Sequence, residues 1–307
     1  MRTTIHGDRR VNGRTLNRRE MLTGTALTLA GLSLTTSCAS SGAKIGARKK
    51  SAGFKLGVCD WTIGRTTQPE AFDVAKRIGL DGVQVDFGRA AEELPLFNPT
   101  LQQSILDRAA QNQLEVASLA LGRLNDIPYK SDLRAERWVE RAIDVCQAMK
   151  TDIILLAFFG NGDLLDDPIG VDATVERLKK VAPKAEKAGV ALAIESWLSA
   201  PRHLEIIERV GSPAIKVYYD VGNSNLKGYD IYQEIRALGK HIVQFHAKDY
   251  DNLYGRGSID FVRVREAMDD IGYRGWLVME GTKMPLGVEE SCRYDAEYLR
   301  TIFPPKA

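Results

Sequence analysis

The chain has 307 residues, 44% of them hydrophobic and 27% charged, with only four Cys. That balance excludes a disordered or collagen-like chain, a multi-span membrane protein and a disulfide-built scaffold. Residues 1–50 hold ten Lys or Arg against Asp8 and Glu20, so the rest carries 32 basic against 38 acidic side chains. A mildly acidic body argues against a nucleic-acid partner, which needs a basic face.

The first segment reads as a targeting sequence. Basic residues ending in Arg18-Arg19 precede an uncharged stretch over 21–37, rich in Leu, Thr, Ala and Gly. It is too short and too weakly apolar for a permanent transmembrane helix, which needs about 20 strongly apolar residues. The arginine pair followed by Met21-Leu22 resembles a twin-arginine export signal. Cys38, after Thr35-Thr36-Ser37, resembles a lipoprotein attachment site, although Thr35 stands where an aliphatic residue is usual. The expected organisation is a signal over 1–38, a flexible linker over 39–53 and one domain over 54–307. The protein is thus expected outside the cytoplasm, in the periplasm or envelope, touching membrane only through its signal or a lipid.

From residue 54 short runs rich in Val, Ile, Leu and Phe alternate with longer amphipathic stretches. In chain order the predicted strand–helix pairs are 55–61 with 68–78, 82–87 with 99–111, 115–120 with 133–149, and 152–159 with 171–187. The later pairs are 190–196 with 203–210, 215–220 with 229–238, 241–247 with 259–271, and 276–281 with 288–302. Gly79, Gly189, Gly239 and Gly272 fall where helices turn back to strands and fit C-caps. Continuous apolar strands between helices are those of a parallel sheet covered on both faces. Eight units in one domain of this size predict an α/β fold, the (β/α)8 TIM barrel. No G-x-G-x-x-G follows the first strand, so a dinucleotide site is not expected. Cys59, Cys146 and Cys292 lie in no C-x-x-C pair and read as free, packed thiols.

The last four strands each end on one group able to bind a metal: Glu195, Asp220, His246 and Glu280. Singly, such a residue is more often a helix cap, a surface group or a packed histidine. Together, in a barrel, they converge on the mouth where the active sites of this fold lie. Three carboxylates and an imidazole are costly to bury without a cation. Such a set suits one divalent ion, Mn²⁺ first, with Mg²⁺, Co²⁺ or Zn²⁺ as alternatives.

The segments A-I-E-S-W at 193–197, Y-Y-D-V-G-N at 218–223, F-H-A-K-D at 245–249 and V-M-E-G at 278–281 resemble the xylose-isomerase-like barrel superfamily of sugar isomerases and epimerases. The resemblance spans about residues 54–303. It implies that Glu195, Asp220, His246 and Glu280 hold one metal, and that Glu195 and Glu280 exchange the substrate proton. The implied reaction removes a proton beside a carbonyl and returns it through a metal-stabilised enediolate. A small sugar or oxidised sugar is the implied partner, and self-association into a homo-oligomer is left open. Lys248, two positions after His246, is expected to face the same way and hold a substrate oxygen. Trp61 and Trp197 are expected as apolar walls, and Asn223 as a hydroxyl partner. Asp249 and Arg256 read equally as loop anchors or substrate contacts.

Departures from the family pattern bear on the substrate. Asn223 stands three residues after the metal Asp, where ketose epimerases usually have a His. Asn252 replaces an Arg six residues after the metal His, and Gln84 replaces a common Glu. Two alternatives therefore stand beside the isomerase: a lyase or dehydratase on the same centre, acting on inosose or keto-glycosides, and a non-catalytic exported sugar-binding barrel. The superfamily's DNA-repair endonucleases hold several metals with additional His. This chain has only His6, His203, His241 and His246.

Overall fold

The computed structural model describes residues 53–90, 92–281 and 283–305. The expected signal segment with Cys38, and the linker up to residue 52, lie outside the described residues. Strands β1 (Lys55–Cys59), β2 (Gly82–Asp86), β3 (Glu115–Leu121), β4 (Ile153–Phe158), β5 (Ala191–Ser196), β6 (Ile215–Asp220), β7 (Ile242–Ala247) and β8 (Trp276–Met279) close into one parallel barrel in sequence order. The helices around it are α1 (Ala71–Ile78), α2 (Pro99–Asn112), α3 (Leu133–Ala148), α4 (Pro168–Ala188), α5 (Ala200–Val210), α6 (Val221–Leu226), α7 (Ile231–Leu238), α8 (Phe261–Asp270) and α9 (Val288–Ile302). This is the expected (β/α)8 architecture. None of the described helices is long and apolar enough to cross a membrane.

The continuous apolar runs have their physical reason in two cores. Outward residues such as Val83, Leu156, Ile194 and Phe245 pack under the helices in one large cluster. Inward residues such as Ala120, Leu155, Ala157, Ala193 and Tyr218 fill the barrel interior. A strand buried on both faces has no polar side to alternate. The floor is filled by the Trp276 indole, over which Gly57 and Gly82 leave room. A Cβ on Gly82 would lie 2.6 Å from that ring and 2.3 Å from the Glu115 carbonyl oxygen.

The element boundaries follow capping chemistry. Gly79 and Gly189 close α1 and α4 in the left-handed conformation, as expected. Gly239 differs: its φ is 50° but its ψ is −123°, and the chain turns there into a short 3-10 segment. Gly272 lies one residue beyond Ile271, the residue that caps α8. Helix α4 starts three residues before the expected position, because Pro168 opens it and Asp167 accepts from Gly170 N. Helix α6 was not expected at all. It begins directly at the end of β6 and has only six residues.

Candidate metal centre and substrate cavity

Strand register brings the four expected ligands to one level. Asp220 lies opposite His246, Glu195 opposite Ala157, and Glu280 N donates to the Ala247 carbonyl at 2.9 Å just past β8. One ligand atom from each of the four lies within 4.8 Å of the others. Asp220 and His246 side chains are almost fully buried, while 18% of the Glu280 side chain faces the cavity.

Asp220 divides its two oxygens between structure and chemistry. Oδ1 accepts from Gly222 N at 2.7 Å and Asn223 N at 2.9 Å, capping α6. Oδ2 is buried with no hydrogen-bond partner. The cap reading of a strand-end Asp therefore holds, and it leaves the second oxygen available to a ligand role. A buried carboxylate oxygen without a donor is stabilised by a cation.

The His246 ring is oriented from behind. Its Nε2 lies 2.7 Å from Gln84 Oε1, and Gln84 Nε2 donates to Ser118 Oγ at 2.9 Å. With Nε2–H given to Gln84, Nδ1 faces Glu195 Oε1 at 2.9 Å, Glu280 Oε2 at 3.5 Å and Asp220 Oδ2 at 3.9 Å. Tyr218 packs on the ring at 4.4 Å between centroids. Cys59, expected as a packed thiol, is free and buried, and its Sγ lies 3.3 Å from His246 Nε2. Neither Gln84 nor Cys59 stood out as a site residue in the sequence.

Hard oxygen donors, one imidazole nitrogen and the orphan Oδ2 fit a divalent cation. Glu195, Asp220, His246 and Glu280 are the residues that would hold it. Without it the charges lean on each other and on Lys248. Burial raises the Asp220 carboxyl to about 7, a rise that Lys248 partly offsets. Burial acts the same way on Glu280, but Lys248 and His246 outweigh it and hold that carboxyl down at about 2. For His246 burial opposes a proton, yet the Glu195 and Glu280 carboxylates prevail and raise its pKa.

The other expected residues surround a cavity of about 290 Å³ that includes Glu195 and Glu280 in its lining. Lys248 Nζ lies 2.9 Å from Glu280 Oε2 and 3.7 Å from Asp220 Oδ2. The Tyr250 ring covers that ammonium at 4.9 Å, and Tyr250 takes a left-handed φ of 44° there. The Tyr250 hydroxyl donates to Asn223 Oδ1. Trp61 is more than a wall, since its Nε1 donates to Glu280 Oε1 at 3.0 Å. Trp197 packs edge-on against Phe159 at 5.0 Å and lines the cavity. Asp249 is a loop anchor, accepting from Ser258 N, and Arg256 packs on Tyr294 away from the cavity lining.

The end of β5 beside Glu195 is fixed by a buried histidine. His203 Nδ1 lies 3.2 Å from the Ser199 carbonyl oxygen and Nε2 3.0 Å from Ser196 Oγ, which accepts from Leu198 N. Burial lowers the His203 pKa to about 4, against a smaller opposing pull from the Ser199 carbonyl. The unfolded side chain titrates near 6.5, so stability is lost as pH falls from there toward the folded value. Between pH 7 and 5 that linkage amounts to about 2 kcal/mol. His203→Gln is expected to remove that part of the slope in urea unfolding. Identical slopes in both proteins would exclude the effect.

A closed parallel barrel carrying a buried carboxylate–imidazole set at its mouth defines a class: a barrel with a cluster able to hold a metal ion beside a small-molecule cavity. Residues 72–302 match the family described as the xylose isomerase-like TIM barrel, and the chain belongs to that family. It is 26% identical over 199 residues to a 2-epi-5-epi-valiolone 7-phosphate 2-epimerase of Actinoplanes sp., covering 64% of this chain and 72% of the relative. It is 25% identical over 236 residues to an L-ribulose-5-phosphate 3-epimerase of Escherichia coli, covering 69% and 81%. Among solved structures, a D-psicose 3-epimerase from Clostridium cellulolyticum with D-tagatose superposes with a TM-score of 0.69 at 18% identity, covering 81% of this chain and 99% of that one.

Proposed function

We propose that this protein is a divalent-metal-dependent sugar epimerase or isomerase that exchanges the proton on a carbon beside a carbonyl. The observation that carries the reading is that Glu195 and Glu280 belong to the four-ligand set and also line the cavity. They come from β5 and β8, three strands apart around the barrel, so a substrate between them presents different faces to each. The sugar epimerases among the relatives support the same class of reaction. A cavity of about 290 Å³ is at the small end for ligand sites and suits a single sugar.

A divalent cation held by Glu195, Asp220, His246 and Glu280 would supply Lewis acidity beside the substrate carbonyl. Glu280 takes the proton, and Glu195, once it has picked up a proton from solvent, gives that one back from its own side. Lys248, steadied by Tyr250, donates to a substrate oxygen. Trp61 and Trp197 cover the C–H face of the sugar and keep water from it.

The test is solvent-deuterium incorporation by metal-loaded protein into a panel of ketopentoses, ketohexoses, their phosphate esters and 3-keto-glycosides. Deuterium is expected on carbon next to the carbonyl of at least one of them. Loaded protein that leaves the whole panel unlabelled would refute the assignment.

A further inference from the structure

The cavity has two polar ends. One is the metal centre, and the other is built by Asp86, Arg89, Gly122 and Asn125 from the β2 and β3 ends. Proteins cradle a phosphate ester with backbone N–H groups of glycine turns and unpaired cations. The glycines are present here: Gly122, at the end of β3, lines the cavity, and Gly88, with a φ of 91°, lies buried just behind it after β2. Their N–H groups are already engaged. Gly88 N donates to Asp86 Oδ1 at 2.7 Å, and Gly122 N donates to Asp86 Oδ2 at 3.1 Å.

The carboxylate is fixed in that cradle. A Cβ on Gly122 would lie 2.6 Å from Asp86 Oδ2, so only glycine allows this approach. The Asp86 backbone is held too, its N–H donating to Asp60 Oδ2 at 3.0 Å and its carbonyl accepting from Thr67 Oγ1 at 3.0 Å. Asp86 is 3% exposed. Of the two cations lining the cavity, Lys248 stands at the other end, 2.9 Å from Glu280 and 3.7 Å from Asp220, where the proposed reaction uses its remaining N–H groups. Arg89 makes no ion pair among the described residues and offers one charge to balance Asp86.

We propose that Asp86 occupies the anion cradle of the cavity with the chain's own carboxylate, and thereby selects unphosphorylated sugars, whose far hydroxyls it accepts. The inference rests on the sugar-isomerase reading and narrows its substrate class. A carboxylate oxygen that accepts one N–H still has a lone pair for a hydroxyl. A phosphate dianion placed there meets a like charge and finds the Gly88 and Gly122 N–H groups already taken.

The test uses Mg²⁺-loaded native protein, Asp86→Asn and Arg89→Ala with matched probes: inorganic phosphate, L-ribulose with L-ribulose 5-phosphate, and D-tagatose with D-tagatose 6-phosphate. Calorimetry should give native protein a preference for the free sugar of at least about 100-fold, the scale of a buried like-charge clash. Millimolar inorganic phosphate should leave native thermal unfolding unmoved and protect Asp86→Asn, whose cradle is freed of its charge. Tighter binding of either ester than of its sugar by native protein would overturn the proposal. So would saturable phosphate binding by native protein that Arg89→Ala removes, or an unchanged phosphate response in Asp86→Asn. If deuterium enters no sugar, the isomerase reading falls, and the phosphate response still decides the role of Asp86.

Discussion

Replacing Glu280 with Gln is expected to lower turnover by about three orders of magnitude, the usual worth of a positioned general base, while the barrel stays folded. Glu280 accepts from Lys248 Nζ through Oε2 and from Trp61 Nε1 through Oε1. A Gln side chain retains one good acceptor for these donors but cannot take up a proton. Against burial, the Lys248 ammonium and His246 hold the Glu280 carboxyl well below the usual carboxylate range, which favours its ionised form in the metal-free protein. The same Lys248 that favours this also weakens it as a base. In the proposed reaction, a substrate oxygen that draws the ammonium toward itself would restore that basicity. The check is deuterium exchange and turnover for Glu280→Gln, with circular dichroism to confirm the fold. Undiminished exchange would remove Glu280 from the chemistry.

The second large effect separates the two tasks of Asp220. Saturating Mn²⁺ or Mg²⁺ is expected to stabilise native protein by about 2.7 kcal/mol at 100-fold excess over its dissociation constant. In a domain of this size that is a rise of roughly 5–10 °C in Tm. Asp220→Asn keeps an oxygen to cap α6 but removes the charge that burial opposes. Metal-free, it should be at least as stable as native protein, yet gain almost nothing from the ion. Asp220→Ala should lose the ion response and in addition about 1 kcal/mol of capping. Chelator and metal titrations followed by thermal unfolding distinguish the three. A full ion response in Asp220→Asn would mean that Oδ2 is not a ligand.

The legible parts of the sequence were those whose signal is local. Apolar runs alternating with amphipathic stretches reflect a buried strand beside a helix, and the barrel followed from counting them. Glu195, Asp220, His246 and Glu280 each break an apolar run at its carboxyl end, and the structure brings all four together. Helix α6 has no signal of its own in the sequence, because its amphipathic pattern is short and its start is fixed by Asp220, a residue equally legible as a ligand. Gln84 was noticed only as a departure from a family pattern. Its contact with His246 spans 162 residues of chain, and no local spacing encodes a partner across a barrel. Asp86 and Cys59 were hidden for a related reason. In a strand buried on both faces, a residue aimed into the interior looks the same as one under the helices.

Trp276 closing the bottom of the barrel has a kinetic consequence. A vessel with one opening admits and discharges through the same door, so substrate and product of the proposed reaction would queue for a single berth. Each should act as a plain competitive inhibitor of the other, with no order of release to unravel.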